Sequence, residues 1–571
     1  MRRYSDVFFL AGYTYAMQWR LLLLLLALVS ACERVPPPPP PPRPALALSE
    51  IDAPQLMAHV RFLSDDLLEG RAPSTRGGQL AAQYLATQLA LLGFAPGAAD
   101  GTYFQPVAIV ESVVQPSFML SVGDGEPFKY LQDVVAFSGV QDARLETDGE
   151  LVFVGHGIVA PEYKWNDYEG VDVKGKLVLV MVNDPPAPAD EPDLFAGPAL
   201  TYYGRWTYKF EEAARQGAAG AILIHTDESA TYPWQVVQSS WSGTQYSLPA
   251  VPGTPALRLK AWVTNAAATE IARRAGKDLE TLRTAARARG ARPVPFGIRA
   301  ETTLVQSVAR RSSPNVIGVL KGADPSRAVL YTAHYDHFGT RARRAGDTPT
   351  TDRIFNGAID NAAGVSGTLE IAQAFARTGV VPARSIYVMF TTAEESGLLG
   401  AEYFAAQPVM PAGQWLANIN IDSMNMAGRS KDLVLLGAER STLGAVADRL
   451  AAAHQRVIGP DPEPGRGHFF RSDHFPLAKI GIPALSLANP RDYVGQDPSY
   501  AKRIRDAYNE TDYHQPSDEY SDTWDTSGAI EDMRLLAELG WAIASGTDVP
   551  AYHQDQPFAR PRQAASTPST P

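Results

Sequence analysis

Several apolar runs in the second half of the chain end in side chains that can hold a cation. The run at 329–333 is followed by His334, Tyr335, Asp336 and His337. The run that starts at Ile386 leads to Glu394 and Glu395, side by side, and the run at 416–421 leads to Asp422. The stretch "FNGAIDNAAG" offers Asp360 just before a helical pattern, and "TDYHQPSDEY" offers His514. Two adjacent glutamates beside an apolar run repel each other and are costly to bury unless something cationic compensates. Imidazoles and carboxylates together are the donors wanted by hard or borderline divalent cations. A lone histidine is more often structural, and a lone aspartate after a strand is more often a cap or turn residue. Agreement among separate strand and loop ends is what carries the reading of a metal site.

The elements that must position these residues can be read from hydrophobic spacing. Apolar runs at 316–320, 329–333, 386–390, 416–421, 433–436 and 484–487 read as buried strands. Helical spacing covers 364–376, 400–406, 442–453 and 530–544 between and after them. Strands alternating with helices predict an α/β fold, a doubly wound and mostly parallel sheet, with its chemistry at the carboxyl ends of the strands. Earlier in the chain, 53–66 and 77–93 read as helices, and 100–160 as short strands. Residues 175–184 read as a buried strand, and 209–227 as a helix, a glycine turn and another buried strand. The basic stretch 281–292 reads as a surface helix or linker.

The length of 571 residues predicts two structured domains, and a formal charge of −11 argues against nucleic acid as a partner. Cys32 is the one cysteine, so neither an intrachain disulfide nor a cysteine-based metal site is possible. Its position is informative. Arg20 precedes an apolar stretch at 21–29 and then small residues, which reads as a signal peptide too short to span a membrane. The sequence "LVSAC" resembles a bacterial lipobox, which implies lipid on Cys32 and an exported protein anchored to a membrane, the outer one in a Gram-negative host. Met17 opens a better signal than Met1. The proline run at 36–44 is an extended spacer of roughly 3 nm at about 3.1 Å per residue.

Five motifs in order, "AHYDH", "GAIDNAAG", "TTAEESGLLGAEYF", "NIDSMN" and "YHQPSDEY", resemble those of secreted dizinc aminopeptidases related to glutamate carboxypeptidase. The resemblance implies a sheet of the zinc exopeptidase type and two zinc ions per chain. It implies that His334 and Asp422 hold one zinc, that Glu395 and His514 hold the other, and that Asp360 bridges them. Glu394 corresponds to the general base that takes a proton from a dizinc-bound hydroxide's parent water. Tyr513 matches a tyrosine that stabilises the oxyanion in some members. Asp336 would orient the His334 imidazole, and Asp473 and His474 would support the site or line its pocket. Many members have a second acid before the bridging aspartate, where this chain has Ile359.

The resemblance also gives a domain plan: signal peptide with lipobox 1–35, proline-rich linker 36–48, peptidase domain 49–135 and 299–548, an insert 136–298 resembling the protease-associated (PA) domain, and a flexible tail 549–571. The implied activity is removal of N-terminal residues from peptides. A glutamate carboxypeptidase-like or glutaminyl cyclase-like enzyme, and a surface binding protein without catalysis, remain alternatives on the same scaffold.

Overall fold

The computed structural model describes residues 46–344 and 346–559. Cys32, the signal segment, the proline run and residues 560–571 lie outside the described residues. Among the described residues no helix is long and apolar enough to cross a membrane.

Helix α1 (Ala53–Leu63) starts where the Asp52 side chain accepts the Gln55 N–H, and it buries Leu56, Val60 and Leu63. Helix α2 (Arg76–Leu91) is capped in the same way by Thr75 and buries Leu85 and Leu89. Strand β1 (Phe104–Val114) pairs antiparallel with β2 (Val294–Leu320), a strand of 27 residues. The remaining core elements are β3 (Asp324–His334), α3 (Gly364–Arg377), β4 (Arg384–Thr391), α4 (Leu399–Ala406), β5 (Trp415–Ile421), β6 (Asp432–Leu436), β7 (Ala484–Ala488) and α5 (Ser527–Ser545).

Across the sheet the order is β1–β2–β4–β3–β5–β7–β6. The central four, β4, β3, β5 and β7, are parallel, and antiparallel β2 and β6 flank them. These strands are apolar along their length because helices cover both faces. Helices α1, α2, α3 and α5 pack on one face around Val329, Tyr331 and Ile419. On the other, Phe404 of α4 joins Leu330, Met389 and Trp415. This is the doubly wound sheet that the alternating pattern predicts.

A second sheet forms from the middle of the chain. Strands Arg144–Phe153, Leu177–Met181, Gly220–Ile224 and Leu259–Val263 run parallel in that order, with Val134–Phe137 antiparallel at the edge. It has a core on each face, one around Leu179 and Ile222 and one around Val180 and Leu223. The limits of the second sheet differ from the insert limits of 136 and 298 expected from the sequence. The expected break at 298–299 falls inside β2, whose first half pairs with Arg144–Phe153 and whose second half pairs with β1. At the other end, Phe118, Leu120 and Val122 already belong to the core of the second sheet, ahead of residue 136.

The described part of the expected tail is packed as well. Phe558 is buried against Phe469 and Phe475, and the Tyr552 hydroxyl donates to the Ile482 carbonyl at 2.9 Å. Two aromatic side chains within a few residues supply enough apolar area to hold the segment. Leu46 and Leu48, assigned to the linker, pack on the main core.

Candidate metal centre

The central strands deliver the site. His334 is the last residue of β3, Asp422 follows the last residue of β5, and Glu394 and Glu395 lie just past β4. The turn after β4 passes through Ala393 at φ 55°. There the Glu394 N–H donates to Asp336 Oδ1 at 3.1 Å. Asp360 sits in the segment that leads into α3. Asp518 holds this segment, accepting from the Ile359 N–H at 2.9 Å and the Asp360 N–H at 3.0 Å. Asn361 ties it to the end of β5: its Nδ2 donates to the Ile421 carbonyl at 2.9 Å, and its Oδ1 accepts the Ser423 N–H at 2.9 Å.

The donor atoms converge in two sets. His334 Nε2 lies 3.0 Å from Asp422 Oδ1 and 3.1 Å from Asp360 Oδ1. His514 Nε2 lies 3.2 Å from Glu395 Oε2 and 3.3 Å from Asp360 Oδ2. Asp360 therefore turns one oxygen to each set. Glu394 Oε2 stands farther off, 4.0 Å from His334 Nε2. Around a zinc ion with ligands at about 2.0–2.2 Å, tetrahedral neighbours are about 3.3–3.6 Å apart. The imidazole–carboxylate gaps approach that spacing, and the donors are the nitrogen and oxygen types zinc takes, so the residues fit the metal.

All of these residues lie in one stretch that a known family matches. Residues 315–537 match peptidase family M28. Leupeptin-inactivating enzyme 1 of Streptomyces exfoliatus is 24% identical over 239 residues, 41% of this chain and 50% of that protein. A probable zinc metalloprotease of Pyrenophora teres f. teres is 36% identical over 118 residues, 20% of this chain and 23% of that protein. The chain thus spans half or less of the length of these curated relatives. Among solved structures, the aminopeptidase from Aneurinibacillus sp. strain AM-1 matches with a TM-score of 0.50 at 17% identity, over 88% of this chain and 96% of that one. At that identity the likeness is one of fold.

Within the M28 segment, the electrostatics separate the two neighbouring glutamates. Burial pushes Glu394 well above the usual carboxylate range, and Asp422, Glu395 and Asp473 add to it against the pull of His334. Burial and Asp360 also oppose ionisation of Glu395, but His514 and His337 bring it down to about 2. Burial disfavours the charged form of His334, yet Glu394, Asp422 and Asp360 outweigh it and hold the ring well above its ordinary value. His514 is lifted to about 9 against burial by Glu395 and Asp360. So crowded an acidic cluster is the environment a pair of dications would neutralise.

Several sequence expectations change at the level of atoms. The Asp336 side chain does not orient His334. Its carbonyl accepts from His334 Nδ1 at 3.2 Å, while its carboxylate takes the Glu394 N–H. The reason is the turn after β4, whose backbone needs an acceptor there. Asp473 is fully buried and accepts from the Thr391 hydroxyl, behind the glutamate turn. His474 packs edge-on to Phe469. The Tyr513 ring stacks on the His514 ring at 3.8 Å, and its hydroxyl accepts from Arg471 at 3.5 Å.

Three residues of the site were missed. His337 Nδ1 bonds Glu395 Oε1, so both oxygens of Glu395 face imidazoles, and His337, Asp360 and Glu395 form a further possible ligand group. Asp518 braces Asp360. Ser240, from the insert, meets His514 Nδ1 at 2.8 Å through its hydroxyl. His337 and Asp518 lie inside the quoted motifs and could have been singled out. Nothing in the sequence marks Ser240.

Two cavities open on the cluster. One of 400 Å³ runs past Asp360, Asp422 and Tyr508. The other, of 160 Å³, lies against the insert between Arg205, Trp206 and Trp241. Glu394, Glu395, Tyr513 and His514 border both.

Proposed function

We propose that the protein is a zinc-dependent aminopeptidase that hydrolyses N-terminal residues from peptides and uses two zinc ions per chain. The observation that carries the reading is Asp360, whose two carboxylate oxygens each face a separate imidazole–carboxylate pair. His334 and Asp422 would hold one ion, His514 and Glu395 the other, and Asp360 both. Zinc so held supplies Lewis-acid polarisation of a carbonyl and a water of lowered pKa.

The chain's own residues do the rest. Glu394 stands beside the ligand sets, its Oε2 4.0 Å from His334 Nε2, so its carboxylate can take a proton on Oε2 from the attacking water and hand it to the leaving amine. Tyr513, which borders both cavities, would donate its hydroxyl to the developing oxyanion. The carboxylates of the cluster suit a cationic α-amine better than a terminal carboxylate at the reacting end. The relatives' names, a leupeptin-inactivating enzyme, a zinc metalloprotease and an aminopeptidase, support peptides as substrates. The segment 136–298 reads as a PA-type insert, and Cys32 as a lipid anchor to the membrane.

The test combines metal content with substrate choice. Protein purified without chelator should carry close to two equivalents of zinc and release chromophore from leucyl anilide but not from its N-acetylated form. A single equivalent that zinc add-back cannot raise would sink the dinuclear reading. Equal cleavage of the acetylated substrate would sink the aminopeptidase reading.

A further inference from the structure

The 160 Å³ cavity between the glutamate turn and the insert holds two guanidinium groups that the reading above does not use, Arg205 and Arg471. Both are half-buried. Arg205 forms no side-chain hydrogen bond or ion pair among the described residues, and its Nε is buried without a partner. Among the described residues the Arg471 side chain hydrogen-bonds only the hydroxyls of Thr231 and Tyr513, each at 3.5 Å, and its guanidinium lies 5.7 Å from the centre of the Tyr232 ring. Glu394 acts on Arg471 from beyond ion-pair distance.

The neighbouring charges are matched. Glu211 accepts from the Tyr202 hydroxyl at 2.7 Å, and Glu402 pairs with Lys479. Arg466 and Arg505, beside the larger cavity, share Glu463 at 3.0 and 2.7 Å. Two cations therefore stand without an anion at one place, next to the reacting cluster. Burial, and then Arg471, bring the Arg205 guanidinium down to about 10, so it stays charged at neutral pH. A third feature has the same sign. Arg205 is the N-cap of the helix Trp206–Arg215, which has no side-chain cap and no acidic residue in its first turn. Trp206 and Thr207 of that turn line the cavity. A helix start of this kind favours negative charge. Arginine's planar fork matches a carboxylate through paired hydrogen bonds, and Trp206 and Trp241 give the cavity aromatic walls.

We propose that Arg205 and Arg471 form a carboxylate-binding subsite on the insert side of Glu394 and Glu395, which selects peptides bearing a carboxylate close to the cleaved bond. The proposal rests on the peptidase reading and narrows its substrates. Either the C-terminal carboxylate of a dipeptide or an acidic side chain in the residue after the cleaved bond supplies this chemistry.

The full zinc-loaded chain allows two measurements. The first needs no turnover: Trp206 and Trp241 line the cavity, so tryptophan fluorescence reports its occupancy. N-acetylglycine should give a saturable change, N-acetylglycinamide should not, and Arg205→Gln should abolish the response to the acid. An equal response to acid and amide, no response at all, or a response that survives in Arg205→Gln because the carboxylate sits elsewhere overturns the subsite.

The second measurement is the kcat/KM ratio of Leu-Gly over Leu-Gly amide, with Leu-Glu amide as the arm that isolates the side chain. A wild-type preference for Leu-Gly assigns the terminal carboxylate, and a preference for Leu-Glu amide over Leu-Gly amide assigns the side chain. Arg205→Gln should reduce that preference about tenfold to hundredfold, the size expected for a charge-assisted hydrogen bond. Arg205→Lys, which keeps the charge, should recover part of it. No preference in wild type overturns the proposal. A protein that binds N-acetylglycine through Arg205 yet cleaves none of these peptides keeps the subsite and fails the peptidase reading instead.

Discussion

Glu394 and Glu395 are neighbours in the chain but meet different partners. Both Glu395 oxygens face imidazoles, His337 on one side and His514 on the other, while Glu394 stands 4.0 Å from the nearest ring. That difference predicts different failures. Glu394→Gln keeps the size and removes the proton acceptor, so it should retain zinc and the fold and lose about 10²–10⁴-fold in kcat. Glu395→Gln should lose zinc together with activity. Elemental analysis and leucyl-anilide turnover on both variants check the pair; near wild-type turnover by Glu394→Gln would place the base elsewhere. The two donor sets were legible because separate strand and loop ends agree: His334 closes β3, Glu394 and Glu395 lie just past β4, Asp422 follows β5, and Asp360 leads into α3. The Asp336 contact was misread because spacing from His334 does not say which of its oxygens turns to the ring. Asp336 belongs to the glutamate turn through its side chain and to His334 only through its backbone.

At the scale of elements, continuous apolar runs were legible as central parallel strands, since a strand buried on both faces carries no polar alternation. The expected strands at 329–333, 386–390 and 416–421 fall within β3, β4 and β5. The reach of the insert into the site was not legible. Ser240 ends the short helix Trp234–Ser240 and lies 274 positions from His514, a distance that only the fold closes. Its hydroxyl engages His514 Nδ1 and so leaves Nε2 to face Asp360 and Glu395. Partners of this kind fix the tautomer and orientation of a ligating ring. Ser240→Ala should weaken zinc retention on that side about 10–100-fold, and Ser240→Thr, which keeps a hydroxyl, should restore much of it. Competition against a chromogenic chelator reads both variants. Identical retention in Ser240→Ala and wild type would reduce the contact to packing.

For the whole molecule, we propose that the site and the lipid anchor at Cys32 are separable in function. The site is built from residues between Asp360 and His514 on one sheet, with His334 before them and Ser240 from the insert. Each of these groups lies among the described residues, whereas Cys32 and the proline run lie outside them. The anchor proposed at Cys32 bears on where the protein acts. A single acyl chain gives only marginal membrane binding, and stable anchoring takes two signals, at about 0.8 kcal/mol per buried methylene. A lipidated Cys32 with two or three chains would meet that requirement. The wild type expressed in a bacterial host should sediment with membranes and show a diacyl or triacyl mass increment on an N-terminus at Cys32. Cys32→Ser should move the protein to the soluble fraction with its kcat and zinc content intact. Soluble export of the wild type without an adduct would contradict the anchor. A fall in kcat on release would instead mean that the membrane contributes to turnover and that anchor and site are not separable.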